Sequence, residues 1–343
     1  MAAILPAIGR PTGTRYGPHA MGSIRGEIGD LTPPALLVHG GAGDFRGIED
    51  PAHALALTDA VAVALDAGWA VLAAGRSPLE AVTAAVESLE DSGTFNAGRG
   101  AVPTSDGHVE LDAAVMDTSG AIGAIAAARR PANPVRLARR VAELGGLPGG
   151  PILLAGKGAD RLAKAEGFPK MKRSRLTGLP HADDAPARLR ALAGGAGGSP
   201  HGTVGAVALE ASGRMAAATS TGGRAGQLRG RVGDTPVFGA GTWAAPATVA
   251  VSATGTGEVF VYTGFGHRID WLVREGHGIG AAIDDALGHV AAHGGEGGAI
   301  AIRPDGSYAA RFNSRAMARG WRDAHGIVTR VTDELGDGTG PPG

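Results

Sequence analysis

The 343-residue chain contains no cysteine, which excludes disulfide staples, thiolate catalysis and Cys-ligated zinc together. It also lacks an excess of either charge. The formal net value is −1, so bulk electrostatics give no case for nucleic acid or an anionic membrane as partner. The one basic run, Lys170 to Arg175, reads as a solvated loop. Residues 1–34 hold no continuous apolar stretch of the secretory or membrane-spanning kind and read as a flexible extension rich in Gly, Pro and Arg. A reducing cytoplasm is the expected location. Common catalytic patterns are missing too: no G-x-S-x-G elbow, no H-E-x-x-H, no G-x-x-x-x-G-K-[ST]. Gly41-Ala42-Gly43 and Gly255-Thr256-Gly257 each begin a G-x-G, but Arg46 and Phe260 stand where a dinucleotide fingerprint needs its third glycine. Glycine is abundant instead. Its 59 residues follow no G-X-Y period, which points to tight turns and close backbone approaches.

Ala35 to His39 is an apolar run that stops at Gly40-Gly41-Ala42-Gly43, the pattern of a strand ending in a glycine turn. A helix is predicted from Leu55 to Ala74. A second opens on Ser77-Pro78-Leu79-Glu80, which combines an N-cap serine, a proline at the first helical position and a glutamate for a capping box. Val82, Ala85, Val86 and Leu89 then share one face, and the helix should stop near Gly93. Strands are predicted over 109–115, 121–128 and 151–155, with a helix over 134–144. Residues 166–202 carry scattered prolines, mixed charge and a Gly-rich end, and read as a linker. Beyond it come predicted strands over 203–209, 214–219, 247–254, 258–263, 299–303 and 308–312, and helices over 269–274 and 281–292. Hairpin-like strand pairs with helices between them favour antiparallel sheets covered by helices, an α+β fold.

The junction Gly202-Thr203-Val204-Gly205 places a hydroxyl residue where linker meets strand. If the Gly202–Thr203 peptide is held under strain, the threonine hydroxyl can attack the preceding carbonyl, and hydrolysis of the ester then frees the Thr203 amine. An α-amine has a pKa of about 7.7–8.0 and can serve as base for its own hydroxyl. Taken alone, Gly-Thr at a strand start is also an ordinary strand threonine.

The surroundings add to this. Val38-His39-Gly40-Gly41-Ala42-Gly43, Phe95-Asn96-Ala97-Gly98-Arg99-Gly100, Glu110 to Asp117, Gly202 to Leu209, Ala217 to Gly223, Gly230 to Pro236, Gly239 to Thr242, Thr254 to Glu258 and Gly294 to Gly298 occur in order. With them the chain closely resembles the plant-type asparaginase and isoaspartyl-peptidase family of N-terminal-nucleophile hydrolases, over about residues 35 to 322. The resemblance implies a four-layer αββα sandwich. It implies Thr203 as nucleophile, Thr221 as its orienting partner, and Thr254 with Gly255 as oxyanion hole. Arg231 would hold a substrate carboxylate and Asp234 its ammonium, with Gly257 presenting backbone beside them. Arg231 and Asp234 could equally form an ion pair within a turn. Asn96 is carried over as a neighbour of the nucleophile, or as an Asn that satisfies turn backbone.

The resemblance further implies a structural sodium on the main-chain carbonyls of Leu89, Glu90, Ser92, Phe95, Ala97 and Arg99, with no cofactor for catalysis. It implies a hydrolase domain over 35–330, cut after Gly202 and paired as a homodimer of cleaved protomers, with residues 331–343 as a flexible tail. Expected substrates are β-aspartyl dipeptides and L-asparagine. A glycosylasparaginase-like amidase and an uncleaved scaffold that only binds amino acids are the rival readings. One departure stands out: family members commonly carry a Met-Thr-Asn-Lys type stretch where this chain has Arg224-Ala225-Gly226-Gln227-Leu228-Arg229. Substrate preference is open at that loop. His201 reads as a linker residue.

Overall fold

The computed structural model describes residues 23–45, 47–145, 149–172, 174, 176 and 202–333. The first half supplies β1 (Arg25–Asp30), β2 (Ala35–Gly43), α1 (Pro51–Ala73), α2 (Pro78–Ser92), β3 (Leu111–Asp117), β4 (Ile122–Ala128), α3 (Pro134–Leu144), β5 (Leu153–Ala155) and α4 (Lys157–Ala165). After residue 202 come β6 (Val204–Leu209), β7 (Met215–Thr221), β8 (Thr242–Ala244), β9 (Ala250–Gly255) and α5 (Gly257–Thr263). The chain closes with α6 (Phe265–Arg274), α7 (Ile279–Ala292), β10 (Gly297–Ile302), β11 (Ser307–Phe312), β12 (Ala316–Asp323) and β13 (Gly326–Arg330).

Side-chain alternation sorts these elements into layers. An eight-stranded sheet runs β13-β12-β2-β6-β7-β3-β4-β5 and a five-stranded sheet runs β1-β11-β10-β9-β8. Along β2, Leu36 and Val38 pack with Leu57 and Val61 of α1 and Val82 and Val86 of α2, while Ala35 and Leu37 point the other way. That second face meets Ile300, Ile302 and Phe312 of the smaller sheet, so the two sheets pack on each other. The smaller sheet's outer face, with Val251 and Ala299, is covered by Ile269 of α6 and Ile283 and Leu287 of α7. The result is the expected αββα sandwich. Pairing is antiparallel except between β4 and β5.

The start of α2 follows its sequence signature: Ser77 Oγ accepts the Glu80 N–H at 3.3 Å, Glu80 accepts the Ser77 N–H at 3.3 Å, and Gly93 ends the helix at φ 70°. By length and composition α1 could cross a membrane. Here it is a core helix whose Leu57, Val61, Leu65 and Leu72 are buried while Asp59 and Asp66 face outward.

Several expectations need correction. The supposed flexible extension contributes β1, which pairs with β11 from Arg25 to Asp30. Gly26 there hides the strand from propensity, yet a Cβ at its φ of +107° would strike the Ala310 carbonyl. Residues 258–263, predicted as a strand from Val259, Phe260 and Val261, form α5. Only Gly257 and Phe260 of that element are buried, and Phe260 stacks 4.4 Å from Phe265, so packing overrides β propensity. The predicted tail at 331–343 begins with Val331, which is buried. Residues 334–343, most of the linker, His201, Arg173 and Arg175 lie outside the described residues. The strands β12 and β13 match no prediction because Arg319 breaks the apolar pattern. Its side chain is fully buried, pairs with Glu27 Oε2 at 2.7 Å and Oε1 at 2.6 Å, and lies 4.8 Å over Phe312. Arg319→Ala should lower stability by about 3 kcal/mol, at the low end for a broken buried pair because Glu27 keeps some water contact. A denaturant midpoint unchanged from wild type would contradict this.

Candidate active site

Thr203 sits one residue before β6, in the middle of the larger sheet, and its placement depends on missing side chains. Gly41 has φ +106°, and a Cβ there would overlap Gly202; a Cβ on Gly202 would stand 2.6 Å from Gly41 Cα. Main chain therefore touches main chain at the Gly202–Thr203 junction. A Cβ on Gly40 would enter the Phe95 ring, and one on Gly205 would lie 2.5 Å from His39 Nε2.

The β6–β7 register pairs Val204 with Ser220, so Thr203 and Thr221 face each other one step beyond. Thr203 Oγ1 donates to Thr221 Oγ1 at 3.0 Å, and Thr221 Oγ1 also accepts the Gly223 N–H at 3.0 Å. A cleft of about 200 Å³ opens beside them, lined by Gly202, Thr203, Asn96, Thr254 and Gly255 among others. Thr254 Oγ1 accepts the Ala42 N–H at 3.4 Å, which leaves its own proton for the cleft. Asn96 donates to the Gly223 carbonyl at 2.7 Å and accepts the Val102 N–H at 3.0 Å. Its side chain thus ties down the turn that touches Thr221, as an Asn satisfying backbone does.

Arg231, Asp234 and Gly257 form a second cluster next to the cleft rather than in its lining. A Cβ on Gly257 would lie 2.8 Å from Asp234 Oδ1 and 3.0 Å from Arg231 Nη2, so glycine keeps the space between cation and anion open. Arg231 does not pair with Asp234. Its fork takes Glu258, Nε to Oε1 and Nη2 to Oε2, both at 2.9 Å. Gln227, from the divergent loop, links the two clusters. Its Oε1 accepts the Arg224 N–H at 2.8 Å and lies 3.4 Å from Arg231 Nη1.

Three contributors escaped the sequence reading. Glu258, the last residue of the Thr254–Glu258 motif, holds the Arg231 fork. Asp112, opposite Thr221 in the β3–β7 register, accepts the Ala127 N–H at 2.7 Å. Beneath Thr203 runs a buried polar chain: His39 Nε2 to Ser252 Oγ at 2.9 Å, Ser252 to Thr219 at 2.7 Å, and Thr219 to Thr242 at 2.8 Å. Burial lowers the His39 pKa to about 3, against the opposing influence of the Thr203 backbone, so the ring is neutral and only positions its neighbours. Isolated hydroxyls on strands give no pattern from which such a chain could be read.

The loop after α2 was expected to hold a cation. A Cβ on Gly98 would stand 2.9 Å from the Glu90 carbonyl oxygen, and one on Gly100 would stand 3.0 Å from that of Gly93 and clash with that of Phe95. Main-chain oxygens of Glu90, Gly93 and Phe95 thus crowd Gly98 and Gly100 just past the C-terminus of α2, where the helix dipole favours positive charge. Ser92 donates to the Leu89 carbonyl at 2.7 Å, while Phe95 and Ala97 carbonyls accept the N–H groups of Ala97 and Gly100, each keeping a second lone pair. Arg99 lies in the 3-10 turn between those glycines. The Glu90 carboxyl faces away from the carbonyl set, accepts from Ser220 at 2.7 Å and Val135 N–H at 3.0 Å, and is pushed well up by burial. Among the described residues no group of three or more His, Asp or Glu side chains is placed to hold a metal.

The family model for asparaginase matches residues 32–331. The chain is 40% identical over 313 residues to an isoaspartyl peptidase of Salmonella typhimurium, covering 85% of this chain and 96% of that protein. It is 41% identical over 300 residues to a plant-type L-asparaginase of Pyrobaculum calidifontis, covering 83% and 96%. The chain belongs to the asparaginase family. It is accordingly an amidohydrolase of the N-terminal-nucleophile class.

Two carboxyls of this asparaginase-family enzyme sit far above their ordinary range. Burial pushes Asp234 up to about 7, aided by the negative charges of Asp112 and Glu258 and opposed by Arg231. Burial likewise pushes Asp112 up to about 6, opposed by hydrogen bonding from Ala127 and by Arg231. Asp234 Oδ2 is buried without a hydrogen-bond partner, so a ligand cation would be a welcome one, but only for the ionised form. Below its pKa the raised carboxyl is neutral and that attraction is lost. Hence kcat/KM should fall as pH drops through about 7. Asp234→Asn should lower kcat/KM about 10–100-fold above that range and make the acid limb shallower, as pH–rate profiles of the two proteins would reveal.

Proposed function

We propose that the chain cuts itself between Gly202 and Thr203 and that the freed threonine releases L-aspartate from β-aspartyl dipeptides and L-asparagine. The observation that carries this reading is the Thr203 hydroxyl, held 3.0 Å from Thr221 at a glycine-clamped junction on the cleft wall. In the first step Thr203 Oγ1 adds to the Gly202 carbonyl carbon and the C–N bond breaks. The resulting ester is hydrolysed by water to a Gly202 carboxylate and a free Thr203 amine. In turnover that amine takes the hydroxyl proton while Oγ1 attacks the side-chain amide of the substrate. Thr254 and the Gly255 N–H would stabilise the oxyanion, the protonated amine would give its proton to the leaving nitrogen, and water would release aspartate. Arg231 would take the substrate carboxylate in exchange for Glu258, which is half exposed and can return to water. Asp234 would take the ammonium. Amino-acid head groups carry this pair of charges, whereas a plain acid amide does not.

The proposal extends to a cytoplasmic homodimer of cut protomers and to a structural sodium on the Leu89–Arg99 loop. Denaturing electrophoresis with N-terminal sequencing tests its core. Two fragments are expected, the smaller beginning Thr-Val-Gly, with Thr203→Ala remaining whole and inactive. A wild-type chain that stays full-length would favour the uncleaved scaffold; cleavage of glycosylated asparagine in preference to β-aspartyl dipeptides would favour the glycosylasparaginase reading.

Substrate preference follows from the divergent loop. Arg224 lines the cleft, is 64% exposed, and lies 3.8 Å from Glu258, a weak pairing that leaves its charge available. The leaving residue of a β-aspartyl dipeptide carries a free carboxylate, and the ammonia released from asparagine does not. Arg224→Met should raise KM for β-Asp-Leu about 2–5-fold, the worth of an exposed ion pair, and leave KM for asparagine unchanged. Steady-state kinetics on both substrates reads the difference.

A further inference from the structure

A second concavity, of about 640 Å³, lies between α4 and the end of β4 and shares no lining residue with the Thr203 cleft. Its walls carry Arg129, Arg130, Lys157, Arg161, Lys164 and Lys170. None of these six makes a side-chain ion pair or hydrogen bond with another described residue. Arg229 is the seventh cation, and its contacts with Glu110 at 3.7 Å and Asp106 at 3.9 Å are long. Among the described residues two acids line the pocket itself, and both are engaged. Asp160 Oδ1 accepts the N–H groups of Arg129 and Arg130 at 2.9 and 2.8 Å, and Glu110 Oε2 accepts that of Gly230 at 2.7 Å.

Like charges gathered in a hollow repel one another, and a chain of net charge −1 has acids enough to have neutralised them. Two further features are consistent with an anion as the missing partner. Gly156 and Lys157 bring the N-terminus of α4 to the pocket with no side-chain cap on it. The Arg130 Nε is buried and has no acceptor. We infer that this pocket binds a small molecule carrying two or more phosphates. Three guanidinium forks and three ammonium groups offer the mixed planar and point-charge donors that phosphate oxygens take. The volume exceeds what one inorganic anion fills and falls in the range of ordinary small-molecule sites. These cations gather in one hollow while the chain as a whole carries a net charge of −1, which favours a compact ligand over an extended nucleic acid.

Titration calorimetry of the whole protein with inorganic tripolyphosphate at low ionic strength tests the assignment. One equivalent should bind, and the double variant Lys157→Glu, Arg161→Glu should weaken binding about ten-fold or more. Both side chains are exposed, so reversal does not disturb the core, and unchanged hydrolase kinetics would report intact folding. The control Arg214→Glu, Arg274→Glu makes the same charge change at two other exposed positions and should bind as wild type. Absence of binding heat, equal weakening in the control, or no weakening in the pocket variant would each overturn the inference. Tighter binding of a single-stranded oligonucleotide than of tripolyphosphate would replace a small ligand by nucleic acid and overturn it as well.

Discussion

Where β2 ends, the lack of two Cβ atoms lets Gly41 and Gly202 touch main chain to main chain, and the rest of the site is arranged around that contact. The contact holds the residue before Thr203 against the sheet. From there β6 pairs with β2 on one side and β7 on the other, and the β6–β7 register brings Thr221 opposite Thr203. Asn96 secures the turn after Thr221, and Phe95 fills the space that Gly40 leaves. Each of these depends on the one before. Any side chain at 41 or 202 would displace the junction and carry the hydroxyl away from its partner.

Around this backbone frame the enzyme gathers buried polar groups whose costs differ. The His39–Ser252–Thr219–Thr242 chain lies between two apolar sheets and is linked ring to hydroxyl and hydroxyl to hydroxyl, so it adds rigidity under Thr203 without placing charge there. The carboxyls of Asp112 and Asp234 are a different case. They share one neighbouring guanidinium with Glu258, and burial raises them to about 6 and about 7. Three carboxyls gathered near the Arg231 guanidinium are an arrangement that does nothing for stability.

The larger features were legible because local chemistry and global packing agree there. The α2 capping box, the Pro134–Leu144 helix and the strands on either side of Ser212-Gly213 all match their signatures. The cleft residues Thr203, Thr254, Gly255 and Asn96 were legible as motif positions. What failed did so for identifiable reasons. Residues 258–263 have strand propensity, but one buried ring, Phe260, decides their conformation. The strands β1 and β12 hide behind glycine and a buried arginine, and the ion pair that joins the two strands, Glu27 to Arg319, spans 292 positions of chain. The bond from Arg231 to Glu258 is likewise a matter of folding back, which spacing along the chain does not encode.

The order of strands has a mechanical consequence. In the larger sheet β2 is flanked by β12 and β6, both from beyond residue 202, while β7 meets β3 from before it; in the smaller sheet β1 lies on β11. Pieces of chain from the two sides of Gly202 are thus interwoven through four separate hydrogen-bonded seams. A break at that peptide would remove a covalent tether and leave every seam intact. Neither piece could unravel without stripping the other, so the two would melt as one body and could not be exchanged between molecules without complete unfolding.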